Sequence, residues 1–171
     1  TKGSCSSLAL SYAGNRNGMD VRDFRGGRST SIFARNGTIR QIAELDGVQA
    51  VFEKGRSDYT IAKNLLKQVE PGKEYYFGCG KHAAIVRKTS AGIEYLELQT
   101  THQNGFHALT QYELKHRFGC QKTHTLHGMK LDVTGVLIDV DTLRTSEFEK
   151  ILGYLNTAEA KQVRGVKGYA K

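Results

Sequence analysis

From Glu74 onward the chain breaks into short runs rich in β-branched and aromatic residues, and this feature narrows the available folds more than any other. Tyr75 to Cys79, His82 to Lys88 and Ile93 to Thr100 each have strand length, with Ser90-Ala91-Gly92 marking a hairpin turn between the last two. Segments joined this closely pair antiparallel, because a parallel pair needs a long crossover. Val133 to Val140 predicts a further strand, and Thr30 to Ala34 another among the glycines of the Arg22 to Gly37 stretch. Helical patterns precede and follow the sheet. One runs from Cys5 to Ala13, capped by Ser4 and stopped by Gly14, Asn15, Asn17 and Gly18. Others cover Thr38 to Leu45, Tyr59 to Val69 (capped by Ser57 or Asp58, ended by Pro71-Gly72) and Thr110 to Phe118. The last, Ser146 to Leu155, has Phe148, Ile151, Leu152 and Leu155 as its apolar face. The expected class is α+β.

At 171 residues and 39% hydrophobic content, without repeats or a Pro-rich linker, the chain reads as one domain with one core. It opens at Thr1 without Met, close before a candidate reactive residue, so 1–171 is expected to be a domain excised from a longer polypeptide. Residues 161–171 carry four positive charges and no acid, and are expected to form a basic, solvated tail. No apolar run is long enough to span a membrane as a helix. The net charge of +8 favours an acidic partner. Arg22, Arg25, Arg28, Arg35 and Arg40 form a glycine-spaced basic surface, but no aromatics interleave with them as base stacking requires, so nucleic acid is not expected. Three cysteines cannot all pair, which implies a reducing compartment or free reactive thiols.

Cys5 is the first candidate for chemistry, because free N–H groups and the helix dipole at a helix N-terminus stabilise a thiolate. Taken alone, a free cysteine is more often a small buried apolar residue. A nucleophile needs a base, and His82 at the head of a β-run could reach a helix terminus packed on the sheet edge. With the turn centred on Ser90-Ala91, Gln99 faces His82 and Glu97 lies diagonally on the same face, so either could orient the imidazole. The backbone N–H of Cys5 is the oxyanion candidate. Two other patterns compete. Cys79-x-x-His82 and Cys120-x-x-x-His124, with His127 nearby, have spacings that a structural zinc could use. Arg28-Ser-Thr-Ser31 has the look of an ADP-ribosyl transferase element, but Glu97-Leu-Gln99 has the wrong order for its acidic partner. Neither a metal nor a cofactor is expected.

The segment Cys5-Ser-Ser-Leu-Ala-Leu-Ser-Tyr-Ala-Gly-Asn-Arg-Asn-Gly-Met-Asp-Val21 resembles the nucleophile segment of the papain-fold toxin domains described as glutamine deamidases. Tyr12, Arg16, Gly18, Asp20 and Val21 fit that signature's spacing, Lys81-His-Ala-Ala-Ile-Val is similar to the family's histidine strand, and Glu97-Leu-Gln99-Thr to its Asp-Pro-Gln segment. Glu97 stands where that segment has Asp and Leu98 where it has Pro. The resemblance covers roughly Cys5 to Thr100. It implies a papain-like fold, an N-terminal helical part with the nucleophile packed on an antiparallel sheet, and a Cys5–His82–Glu97 site with Gln99 as the alternative third member. It also implies a secreted or delivered effector that deamidates glutamine on a protein in the target-cell cytoplasm and is neutralised by an acidic partner. A cysteine protease or isopeptidase on the same site and a catalytically decayed binding module of a secreted or phage-packaged protein are the alternatives.

Overall fold

The structure, a computed structural model, describes residues 5–22, 32–99 and 105–159, the last six by their backbone alone. Helix α1 (Cys5–Arg16) comes first, then α2 (Asn36–Ala43), β1 (Ala50–Gly55) and α3 (Asp58–Leu66). The strands β2 (Glu74–Cys79), β3 (His82–Thr89), β4 (Gly92–Glu97) and β5 (Gly105–Ala108) follow, then α4 (Gln111–His116). A hairpin of β6 (His124–Leu126) and β7 (Met129–Leu131), β8 (Val133–Asp139), a 3-10 turn (Val140–Thr142) and α5 (Ser146–Glu159) complete the described chain. Six strands form one sheet in the order β1-β8-β2-β3-β4-β5, antiparallel throughout. The class is mixed α+β, as expected. Among the described residues no helix is long and apolar enough to cross a membrane.

Alternation along each strand sends successive side chains to opposite faces, and both faces are buried. Tyr76, Ile85, Val136 and Ile138 pack on one face with α1, α2 and α5 through Leu10, Ala13, Ile39, Ile42, Phe148 and Leu152. Tyr75, Phe77, Val86, Tyr95 and Leu137 pack on the other with α3 through Ile61 and Leu65, and with Phe118. Helix α1 differs from the other helices in having no solvent face over most of its length, since every residue from Ser6 to Gly14 is buried. Small and hydroxyl side chains make this tolerable: Ser11 Oγ donates to the carbonyl of Ser7 at 2.8 Å, and Ser6 Oγ meets Tyr76 OH at 2.8 Å. Gly14 lets α5 approach, because a Cβ there would stand 2.6 Å from Leu152 Cδ1.

Three expectations change. Of the strand expected over Thr30 to Ala34, Thr30 and Ser31 lie outside the described residues, and Ile32 and Phe33 form a helical turn. The buried Phe33 there serves the α1-side core. Strand β1 was not anticipated; its ladder is wholly with the distant β8, so local alternation says little about it. The segment carrying His124 and His127, where no strand was expected, is the β6–β7 hairpin, turning at His127 and Gly128 with positive φ of 50° and 75°. The Ser4 cap and the 161–171 tail lie outside the described residues.

Candidate active site

Cys5 is the first described residue of α1, half-buried and packed against the α1-side core. The Ser6–Tyr76 bond fixes this end of the helix to β2, which holds the thiol at one end of the sheet. The helix directs its free N–H groups and positive dipole end there.

His82 begins β3 directly after the two-residue loop Gly80-Lys81, paired with Cys79 across it. Only the first loop residue has a positive φ, 64° at Gly80, as a type II′ turn demands. A Cβ on Gly80 would stand 2.5 Å from the carbonyl oxygen of Phe118, to which Lys81 N donates at 2.7 Å. The turn is thereby clamped to the segment after α4. The imidazole packs edge-on against the Phe118 ring, centroids 4.9 Å apart at 84°. Ala83 and Ile85 face α1 whereas Ala84 and Val86 face away, so alternation sets His82 on the side opposite α1. Burial first, and then the Arg117 charge, push its pKa down to about 4 against a smaller upward pull from Glu97. At neutral pH the ring is uncharged.

Glu97 ends β4 and is buried. Arg117 takes it bidentately, Nε to Oε2 at 2.6 Å and Nη2 to Oε1 at 2.8 Å. The same Nη2 donates to Gln99 Oε1 at 2.7 Å, and Gln99 N donates to Glu97 Oε1 at 2.8 Å. Burial alone would raise the carboxyl's pKa, but the Arg117 and Gln99 hydrogen bonds outweigh it and hold the carboxyl below its ordinary value. Arg117 reaches this position because α4, capped by Thr110, ends in a wrap: Arg117 N and Phe118 N both donate to the carbonyl of Glu113, at 2.8 and 3.0 Å, and Gly119 follows with φ 66°. The β3–β4 ladder runs from Thr89↔Gly92 to Val86↔Tyr95 around a two-residue Ser90-Ala91 loop, centred where the sequence placed the turn, and Gln99 lies just beyond the end of β4.

Cys5, His82, Glu97 and Gln99 are brought to one place: all four, with Leu8 and Ala9, line a narrow crevice of about 10 Å³. Cys5 and His82 also line the end of an open cleft of about 280 Å³ that crosses the sheet over Gly78 and Val136 to Phe52 and Arg40. The four are not joined as a relay. Among the described residues the imidazole makes no hydrogen bond to Cys5 or Glu97, and the carboxylate is committed to Arg117 and Gln99 N.

The competing patterns resolve differently. Cys79 Sγ donates to the carbonyl of Asp58 at 3.4 Å, and His124 Nε2 meets Asp58 Oδ2 at 2.8 Å. Among the described residues no three His, Cys, Asp or Glu side chains converge as metal donors. Arg28 to Ser31, with Arg25, lie outside the described residues. Sequence reasoning missed Arg117 and Phe118, for which the only signal was their place at the end of the expected α4. Compared with family models, curated proteins and solved structures, the chain shows no match.

Proposed function

We propose that the chain is a papain-like cysteine hydrolase acting on protein, with glutamine side chains as the substrate and deamidation as the reaction. The observation that carries this reading is the position of Cys5: the head of a buried helix, where an open cleft and the His82–Glu97 crevice meet. His82, neutral at working pH, turns from Phe118 toward the cleft and takes the Cys5 proton. The thiolate attacks the glutamine carboxamide carbon, and the oxyanion forms beside the Cys5 N–H at the positive end of α1. Ammonia leaves with the proton from His82, water hydrolyses the thioester, and glutamate remains. The Glu97–Arg117 pair positions the strand end, and Glu97 partly offsets the charge of Arg117 at the imidazole. As an effector delivered to a target cell, a chain with net charge +8 would be neutralised by an acidic partner.

The test is to expose target-cell proteins to the wild-type and Cys5→Ala chains and search by mass spectrometry for gains of about one dalton at glutamine. Peptide-bond cleavage instead would make it a protease on the same thioester chemistry. A second reading, a non-catalytic binding module, is favoured by the packing of His82 on Phe118 and the commitment of Glu97 to Arg117. It predicts a Cys5 that iodoacetamide labels no faster than an unactivated thiol.

A further inference from the structure

Cys79 and Cys120 play no part in the chemistry assigned to Cys5, yet the fold places them side by side. Both are buried, 4% and 5% exposed, on the face opposite α1. Cys79 ends β2, and Cys120 follows Gly119 after the α4 wrap. Several ties hold the two segments together, directly or through Asp58. Lys81 N donates to Phe118 O at 2.7 Å, Asp58 N to Gln121 O at 3.0 Å, and Gln121 N to Asp58 Oδ2 at 2.9 Å, while Cys79 Sγ donates to Asp58 O at 3.4 Å. A Cβ on Gly80 would lie 3.4 Å from Cys120 Cα, which seats residue 120 against the turn that follows Cys79, and both side chains pack in the same buried cluster. Both cysteines carry free thiols, and no third donor converges to make the pair a metal site among the described residues. Contact with Cys120 and then burial hold the Cys79 thiol well above its ordinary pKa, so reaction is slow and needs an oxidant in excess.

We propose that Cys79 and Cys120 are a redox pair that closes to an intramolecular disulfide under hydrogen peroxide, stapling the turn that sets His82 to the segment that carries Arg117 and Phe118. One thiol gives up its proton as its sulfur attacks a peroxide oxygen; the O–O bond breaks, and the departing hydroxide takes that proton, leaving a sulfenic acid and water. The second sulfur then displaces that hydroxyl as water, so that two thiols and one peroxide give one disulfide and two waters. The bond closes the long loop between β2 and the end of α4, which restricts the unfolded chain and stabilises the fold.

The experiment uses the full chain with Cys5→Ser, so that only these two thiols remain. After peroxide treatment and quenching, the protein is unfolded, alkylated and weighed. The expected result is an intact mass about 2 Da below the reduced form, no alkylation at either cysteine, one cross-linked peptide joining Cys79 to Cys120, and reversal by dithiothreitol. The melting temperature should rise by about 5–10 °C. Adding Cys120→Ser should replace the mass loss with a gain of oxygen on Cys79 or no change. Full alkylation of both cysteines after treatment, or oxygen added to each without a cross-link, would overturn the proposal.

Discussion

On the α1 face of the sheet, the candidate site is open: Cys5 is half-buried at a helix end and borders a cleft of about 280 Å³. On the opposite face the same site is closed: Glu97 and Gln99 are gripped by Arg117, and His82 is packed on Phe118. The first arrangement leaves a thiol where a substrate can arrive. The second holds charge in place where water is scarce, and its hydrogen bonds are spent on one another. A papain-like mechanism therefore requires one moving part, the His82 side chain, between two parts that stay still. Each variant below perturbs one face and asks whether the other responds.

The largest effect should come from the open face. Cys5→Ala removes the nucleophile, so turnover of a glutamine substrate should fall about 10³-fold or more, while the unfolding free energy changes by less than about 1 kcal/mol. Turnover within a few fold of wild type would dismiss Cys5 as nucleophile. Next comes the clamp. Arg117→Met leaves Glu97 buried without its counter-ion, and urea unfolding should report a loss of about 3 kcal/mol. Burial then acts on Glu97 unopposed and raises its pKa. Combining Arg117→Met with Glu97→Gln should recover much of that loss, because no buried charge is left. If Arg117→Met alone costs under about 0.5 kcal/mol, the pair is merely a surface contact.

What the sequence disclosed follows the same division. Local signals carry the elements: turn residues after β3, the cap of α3, and the helix that begins at Cys5 were readable because each is decided within a few residues. The centre of the β3–β4 turn was readable too, and it fixes the recorded register from Thr89↔Gly92 to Val86↔Tyr95. Strand β1 was not, because its partner β8 is far along the chain. Arg117 was missed for the same reason. An arginine near the end of a short helix has no local mark of the carboxylate it will meet, and only the Gly119 wrap turns it inward. Nor could spacing show that His82 would start its strand facing Phe118, because the first residue of a strand is placed by the turn before it.

The face of His82 also sets a pH dependence. Its folded pKa of about 4 lies below the ordinary imidazole value of 6.5. Above about pH 6.5 neither state is protonated and there is no penalty. As pH falls from about 6.5 toward 4, the unfolded chain binds a proton that the folded chain does not, so stability falls; below about 4 this contribution levels off, having removed about 3 kcal/mol in all. Glu97, with its pKa depressed, loses its own contribution only below the ordinary carboxylate range. Urea unfolding at about pH 7, 5.5 and 4 should show the first decline in wild type and a flatter curve in His82→Gln. Parallel curves would mean that the imidazole is not held neutral against Phe118.

The smallest effect separates the two candidates for the third member. Gln99 contributes one charge-assisted bond to Arg117, Oε1 accepting at 2.7 Å, and its backbone N–H bond to Glu97 survives any side-chain change. Gln99→Ala should therefore cost about 1 kcal/mol of stability and leave the Glu97–Arg117 bond in place. Glu97→Gln has a larger reach: it discards the carboxylate that both holds Arg117 and pulls the His82 pKa upward, so the imidazole pKa should fall further and any turnover should drop with it. Nuclear magnetic resonance titration of the His82 ring reads this directly. A ring pKa that shifts in Gln99→Ala but not in Glu97→Gln would transfer the orienting role to Gln99, which lines the same crevice as His82, and reduce Glu97 to a tether for Arg117.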